Sequence, residues 1–301
     1  MSSNREWAEQ TSPSSDEGTK ASSMPTITTK RILSLALPSL GALIAEPLFT
    51  VIDSTMVGHL GTPQLAGLGV AATVLNTAVG LFIFLAYSTT SLAGRHLGAG
   101  RRDLALRSGV EAMWLAGGFG VVAAVLLALF ASPLLSWLGA DATTLPHALA
   151  YLRASAPGLV GMFVVLAATG TLRGLQDTRT PLVAASAGAA FNAVANWTLM
   201  YPLGLGVAGS GLGTAITQTL MAVFLAWIIV RAARSQGVSL RPSTSGLVGA
   251  AVEGTPLLVR TLALRVALLA TLSAVTAIST QALAAHQIVW TLWSFAAYVL
   301  D

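Results

Sequence analysis

Residues 32–57, ILSLALPSLGALIAEPLFTVIDSTMV, form a long apolar run that carries two acids, Glu46 and Asp53. A charge in hydrocarbon costs about 2.5–3.5 kcal/mol on insertion scales, so an acid within such a run usually faces a cavity and binds an ion or substrate. The two acids are seven residues apart, close to two helical turns, which places them on one face of a helix. Between them, Pro47 removes an amide that would bond the carbonyl of Leu43. The run predicts a membrane helix that bends beside its own acids.

The composition supports a membrane protein. The chain has 301 residues, of which 54% are hydrophobic and 9% charged, whereas soluble domains contain roughly 25% charged residues. The formal charge of +4 does not indicate nucleic acid, because the basic residues are spread over short connections and form no single patch. There is no cysteine, which excludes disulfides, thiolate metal sites and cysteine nucleophiles.

Runs that can cross about 30 Å of hydrocarbon follow one another closely. The predicted spans are residues 32–57, 64–92, 108–138, 146–171, 181–203, 206–230, 254–278 and an eighth from 280 onward. Arginines occur in every second connection, and the connections near 58–63, 139–145, 203–206 and 278–280 carry no Lys or Arg. By the positive-inside rule the amino terminus is cytoplasmic, and we expect a multi-pass protein of the cell membrane.

The chain is predicted to contain one complete unit and part of a second. The segment from Pro63 is echoed by the segment from Thr280, and each follows an apolar helix that begins near a proline. The predicted parts are a disordered cytoplasmic tail (1–30), a six-helix lobe (31–235), a cytoplasmic linker (236–253) and the start of a second lobe (254–301). The sequence is still apolar at its last residues, which predicts a fragment of a longer protein, and it does not decide whether Met1 or Met24 is the true start.

Four stretches together resemble multidrug and toxic compound extrusion (MATE) transporters. They are Val51-Ile52-Asp53-Ser54-Thr55-Met56-Val57-Gly58-His59-Leu60-Gly61 in the first span, Leu172-Arg173-Gly174-Leu175-Gln176-Asp177-Thr178-Arg179-Thr180-Pro181, Gly209-Ser210-Gly211-Leu212-Gly213-Thr214-Ala215, and Leu258-Val259-Arg260-Thr261-Leu262-Ala263-Leu264-Arg265. The last stretch and the ending Ala297-Tyr298-Val299-Leu300-Asp301 are similar to the DNA-damage-inducible F (DinF) branch. The resemblance implies an all-α membrane fold of twelve helices in two six-helix lobes, of which this chain holds one lobe and the first two helices of the other.

The resemblance also implies a function and its residues. It implies export of organic cations or other amphipathic xenobiotics in exchange for protons or sodium ions, with no cofactor. The residues that match the family's ion-coupling positions are Asp53, Asn192 and Thr214, and a fourth position holds Asn196 where relatives have an acid. That departure leaves Asp53 as the single protonatable centre, with Glu46 as an accessory acid. The missing lobe, or a second copy of the chain, is expected as a partner.

Helix geometry gives independent support for one site. At about 1.5 Å per residue, Asp53, Asn196 and Thr214 lie about 6, 10 and 12 Å below the outer ends of their helices. Asn192 and Asn196 are one turn apart on one face. Amides and a hydroxyl around one carboxylate suit a group that gains and loses a proton. We expect protonation of Asp53 to let its helix repack at Pro47, which closes the lobe and expels the substrate.

Structural interpretations remain open for most of these residues. Glu46 can be a polar contact between helices, and Asn192, Asn196 and a further accessory candidate, Asn76, can be interhelical hydrogen-bonding groups. Thr214 can serve packing beside its glycine neighbours. Asp301 is a candidate partner for Arg260, which we interpret as structural, and the deeper Arg265 has no predicted partner.

Two other functions are weighed against antiport. A lipid or polysaccharide-precursor flippase would need a more cationic cavity to hold a pyrophosphate, whereas the predicted cavity is acidic and polar. An intramembrane enzyme would need a catalytic pair at a fixed depth, and we identify no catalytic residues. The four histidines lie on different elements without ligand spacing, so no metal site is predicted. We predict a secondary transporter whose substrate and coupling ion the sequence does not specify.

Overall fold

The structure, a computed structural model, describes residues 51–278 together with 289 and 293, and this part is helical with no strand. Residues 51–58 are helical and are called α1. The following helices are α2 (Thr62–Phe82), α3 (Phe84–Gly98), α4 (Arg102–Trp137), α5 (Leu145–Ser155), α6 (Gly158–Gly174), α7 (Arg179–Met200), α8 (Gly206–Ser235) and α9 (Thr244–Ile278).

The predicted all-α membrane class is confirmed. Within the described ranges, five helical stretches are long and apolar enough to cross a membrane, or six if the bent pair α5–α6 counts as one. They correspond to the second through seventh predicted spans. Helix α9 begins at Thr244, before the predicted start at residue 254. Most of the first span, the eighth span except residues 289 and 293, and the predicted tail lie outside the described residues.

Two of the predicted continuous spans are interrupted. Helices α2 and α3 meet at Ile83 within one long span, Thr62–Gly98. Helices α5 and α6 are bent by 53° at Ala156 and Pro157. Pro157 has no N–H to continue the hydrogen-bond ladder of α5, and the ladder resumes with a shorter-range bond from Leu159 N to Ala156 O of 3.0 Å.

The break between α2 and α3 is packed by phenylalanines. The ring of Phe82 stacks on that of Phe163 of α6 at 4.4 Å between centroids, and it also contacts Phe119 of α4 at 5.3 Å. Phe163 is fully buried. Stacked and tilted rings at these distances are favourable beyond the area that they bury, so this cluster holds the broken span against α4 and α6.

Helix α6 lies at the centre of the described bundle, and glycines at its contacts let the neighbouring helices approach closely. A Cβ on Gly120 of α4 would lie 2.5 Å from Val160 Cα, and one on Gly174 of α6 would lie 2.7 Å from Thr90 O of α3. Thr90 Oγ1 also donates to Gly170 O across these helices at 3.0 Å. Small residues and a few interhelical hydrogen bonds are the usual means of packing helices in lipid.

The connections divide the bundle into two ends. We call one the basic end: it contains the connections 99–101, 175–178 and 236–243, flanked by arginines that include Arg101, Arg173 and Arg234. The opposite end contains the connections 59–61, 138–144 and 201–205, which carry no Lys or Arg. Helix α1 ends, α7 ends and α8 begins at this opposite end, which brings the termini of three helices together there.

Candidate functional site

Asp53 of α1 points into the bundle and is only 6% exposed. Asn196 Nδ2 of α7 donates to its Oδ1 at 2.9 Å, and Ser210 Oγ of α8 donates to the same oxygen in a short hydrogen bond. Hydrogen bonds to a charged group contribute about 1.5–3 kcal/mol each. Two neighbouring helices therefore offset much of the cost of burying this carboxylate.

The two asparagines extend the contact into a network. Asn196 Nδ2 donates to Asn192 Oδ1 at 3.0 Å and Asn192 Nδ2 donates back to Asn196 Oδ1 at 3.3 Å. Asn192 Nδ2 also lies 3.5 Å from Thr214 Oγ1 of α8. Both asparagines are almost fully buried, and Thr214 is 5% exposed. The four residues predicted to form one site, Asp53, Asn192, Asn196 and Thr214, are brought together by the structure.

Two members of the network were missed by the sequence analysis. Ser210 stands four residues before Thr214 on α8, so helical spacing would have placed it on the same face. Tyr151 of α5 is buried, and its side chain lies close to Thr214 and to the Asp53 carboxylate. Nothing in the sequence around Tyr151 signals this position, because it depends on how α5 packs against α8.

Glycines at alternate positions of α8 allow the close approach that the network requires. A Cβ on Gly213 would collide with Asn196 Oδ1, and one on Gly209 would lie 2.7 Å from the Leu199 carbonyl carbon of α7. A Cβ on Gly211 would lie 2.5 Å from the Tyr151 carbonyl oxygen of α5. The segment from Gly209 to Gly213 thus packs on two helices at once and holds its hydroxyl groups against them.

The end of α1 is fixed to α7 by a second contact. Tyr201 Oη donates to the Met56 carbonyl oxygen at 2.7 Å, and this carbonyl, in the last turn of α1, also accepts from His59 N at 3.2 Å. Met56 lies three residues after Asp53. The tyrosine therefore helps to set the position of the carboxylate relative to Asn196.

The remaining accessory candidates do not join the site in the described part of the chain. Asn76 is exposed on α2 and forms no hydrogen bond to the network. Glu46, Pro47 and Asp301 lie outside the described residues. Within residues 51–278 there is also no group of three or more His, Cys, Asp or Glu side chains that could hold a metal ion.

The network has the chemistry of an ion-exchange site with a single acid. Asp53 is its one carboxylate, and its other members are amides and hydroxyls. A hydroxyl can donate to an ionised carboxylate and accept from a protonated one by rotating. The arrangement can therefore accommodate either charge state of Asp53 without moving the backbone.

Sequence comparison finds relatives that match most of this chain. The MatE family profile matches residues 38–198, more than half of the chain. The chain is 32% identical over 286 residues to Protein DETOXIFICATION 44, chloroplastic, of Arabidopsis thaliana, covering 90% of this chain and 54% of that protein. It is 28% identical over 280 residues to the DNA damage-inducible protein F of Escherichia coli, covering 90% of this chain and 60% of that protein. The chain thus spans a little over half the length of these relatives.

The fold is shared with solved transporter structures. A crystal structure of MATE in the bent conformation superimposes with a TM-score of 0.79 at 24% identity, covering 90% of this chain and 61% of that one. A MOP superfamily transporter from Pyrococcus furiosus gives a TM-score of 0.76, also at 24% identity, over 90% of this chain and 61% of that one. The family consists of transporters and not of enzymes, which removes the intramembrane-enzyme alternative. The chain belongs to the MatE family, the multidrug and toxic compound extrusion transporters.

Proposed function

We propose that the chain is the ion-coupling lobe of a secondary antiporter that exports organic cations or other amphipathic compounds in exchange for protons or sodium ions. The observation that carries the proposal is Asp53, a buried carboxylate in a membrane helix that accepts hydrogen bonds from Asn196 and Ser210. Such a group is expensive to bury. Its burial against an amide and a hydroxyl that donate to it suits a charge that changes during transport.

The same side chains could bind either a proton or a sodium ion as the coupling ion. A proton would neutralise Asp53 directly. A sodium ion would take oxygen ligands, as hard cations do, and the side-chain oxygens of Asp53, Asn192 and Thr214 are of this type. In either case the ion and a cationic substrate compete for one negative charge, which is the basis of exchange.

A second six-helix unit would complete the transport cavity. Helix α9 is exposed along most of its length, and in its best membrane-crossing window only 6% of the residues are buried. We propose that the rest of a longer chain, or a second copy, covers this face. The whole assembly would lie in the cell membrane with the basic end towards the cytoplasm, as the distribution of arginines favours.

One observation favours a rival cargo. Arg265 of α9 lies with its guanidinium against Gly80 of α2, where a Cβ would meet its Nη2. A cation at this depth would suit an anionic substrate, such as the pyrophosphate of a lipid-linked precursor, handled by a flippase of the related superfamily. The acidic network around Asp53 argues for cationic cargo, so the two functions predict opposite ligand charges.

Equilibrium binding tests the proposal without requiring a full transport cycle. The chain in lipid nanodiscs should bind the fluorescent cation ethidium, and binding should weaken as protons or sodium ions are added. Asp53→Asn should abolish this competition, while Asp103→Asn, which changes an exposed acid in the first turn of α4, should preserve it. Competition that survives in Asp53→Asn, or binding of a lipid-linked pyrophosphate in place of ethidium, would reject antiport through this site.

A further inference from the structure

Glu111 of α4 is a buried carboxylate that the proposed ion site does not use. It lies near the basic end, within three turns of the start of its helix, and is 8% exposed. Arg107, one turn earlier, places its Nε 3.4 Å from Glu111 Oε1. The same oxygen accepts a hydrogen bond of 2.7 Å from Ser243 Oγ, in the segment that leads into α9. The carboxylate thus joins α4 to the segment that follows α8.

Ser243 is also the residue that caps the start of α9, which begins at Thr244. Its Oγ accepts a hydrogen bond from Gly246 N at 3.1 Å, and its carbonyl oxygen accepts one from Leu247 N at 2.9 Å. These are the bonds of a helix N-cap, which a serine satisfies well. The negative charge of Glu111 lies beside this helix start, where the helix dipole favours an anion. Its carboxylate is so close that a Cβ on Gly246 would collide with it.

A second bond joins the same two segments. Trp114 of α4, three residues after Glu111, donates from Nε1 to the Leu240 carbonyl oxygen at 3.1 Å. Leu240 precedes Ser243 by three residues, so two anchors on one face of α4 meet two points of the segment 236–243. We call Glu111, Trp114, Leu240 and Ser243 the clasp.

Beside the clasp, α9 is poorly packed against the lobe. A cavity of about 250 Å³ lies between α3, α4 and the first turns of α9, and its α9 wall consists of Gly246, Gly249 and Ala250. These small residues bury little apolar area, so van der Waals contacts and the hydrophobic effect stabilise this end of α9 only weakly. The polar contacts of the clasp are therefore its main attachment to α4 at this end.

We propose that Glu111 is a positioning residue of the transport cycle: with Trp114 it clasps the start of α9 to the first lobe, and release of the clasp lets this end of α9 move relative to α4. We infer that this motion opens and closes the cavity at the basic end, and this part of the proposal rests on the proposed antiport. The attachment itself does not, because it follows from the hydrogen bonds, the N-cap and the adjoining cavity.

Distance measurement by electron paramagnetic resonance tests the clasp directly. The chain has no cysteine, so Arg102→Cys on α4 and Val248→Cys on α9, both exposed positions, can carry spin labels in lipid nanodiscs. The parent pair should give one narrow distance distribution. Glu111→Gln and Ser243→Ala should each add a second, longer population, and Ser243→Thr, which keeps the hydroxyl, should restore the parent distribution.

The control removes a helix-capping acid at the same end without touching α9. Asp177 caps the start of α7 by accepting from Thr180 N at 3.0 Å, and Asp177→Asn should leave the measured distance unchanged. If Glu111→Gln does not fold, Ser243→Ala decides, since it deletes the hydrogen bond to Glu111 by changing the partly exposed partner.

The clasp and the proposed function fail in distinguishable ways. Distributions for Glu111→Gln and Ser243→Ala that match the parent would overturn the clasp and leave the ethidium competition at Asp53 unaffected. If the clasp is right, its variants should change the rate of ethidium transport several-fold while leaving the equilibrium affinity for ethidium unchanged. A change in affinity with no change in distance would also contradict it.

Discussion

Asn196 Nδ2 donates to Asp53 Oδ1 at 2.9 Å, joining α7 to α1 across 143 positions of sequence. The resemblance noted in the sequence implies an acid at this position, where this chain has Asn196. An amide can donate to an ionised carboxylate at all times, whereas an acid can do so only while it holds a proton. With Asn at this position, we expect the site to depend on Asp53 alone as its protonatable group.

Restoring the acid should change how the protein responds to pH. In Asn196→Asp, two carboxylates would face each other at hydrogen-bond distance and would repel unless one were protonated. We expect the melting temperature of this variant to fall more steeply than that of the parent as the pH rises. Thermal unfolding between pH 5 and pH 8, in about one-unit steps, measures this. Parallel curves for the two proteins would show that the carboxylate and the amide do not face each other.

Gly213 should be required for the position of Asn196. Gly213→Ala places a Cβ into Asn196 Oδ1, and overpacking of this kind typically costs about 1–3 kcal/mol. We expect a lower melting temperature and at least a several-fold loss of ethidium affinity. Gly118→Ala on the exposed side of α4 is the matched control, because its Cβ would meet nothing within 4 Å and should leave both quantities unchanged or raise stability slightly. Equal effects at both glycines would mean that helix propensity, and not contact with Asn196, governs the result.

Ser210 should contribute as much to the site as the residues that the sequence predicted. Ser210→Ala removes one of the two donors to Asp53 Oδ1, and loss of a hydrogen bond to a charged group costs about 1.5–3 kcal/mol. We expect a drop of that size in the free energy of unfolding near neutral pH, measured by chemical denaturation in detergent micelles. Ser235→Ala, at an exposed position at the end of α8, should cost much less. A stable Ser210→Ala protein would show that Asp53 is not held in its charged form by this bond.

The connection between α4 and α5 offers a pH prediction outside the membrane. Asp141 accepts hydrogen bonds from the backbone N–H of Thr144 at 2.8 Å and from the hydroxyl of Thr143 at 2.8 Å, and these bonds hold the pKa of Asp141 below its usual 3.8. A lowered pKa in the folded state means that the stabilisation is complete above pH 3.8 and is lost as the pH falls through the folded-state value. Amide hydrogen exchange at Thr143 and Thr144 should be faster in Asp141→Ala than in the parent near neutral pH. The difference should shrink below pH 3.8, and a difference that persists unchanged in acid would contradict the assignment.

Much of the fold and the centre of the site were predictable from sequence. Six of the predicted spans correspond to the described helical stretches, because long apolar runs and alternating arginines are strong signals. The four predicted site residues meet because each lies near the end of the bundle whose connections carry no Lys or Arg. The rise per residue of a helix gives the depth of each residue below that end. Hydropathy could not predict where a helix breaks or changes direction within a span, because the breaks at Ile83 and Pro157 leave the apolar pattern intact.

The parts of the site that were missed depend on tertiary packing. Tyr151 enters the network only because α5 packs against the glycines of α8, a contact separated by about 60 positions in sequence. The role of Glu111 could not be predicted either, since its bond to Ser243 spans 132 positions. Ser210 was the exception, because its spacing from Thr214 was visible before the structure.

Ion-driven movement of ethidium across proteoliposomes tests the role of Asp53 most directly. Vesicles containing the wild-type protein, with the remainder of its reading frame if one follows, should move ethidium against its gradient when a proton or sodium gradient is imposed. Asp53→Asn should fold, give an unchanged melting profile within a few degrees, and move ethidium no faster than empty vesicles. Gradient-driven movement at the wild-type rate in Asp53→Asn would contradict the assignment of this carboxylate as the coupling group.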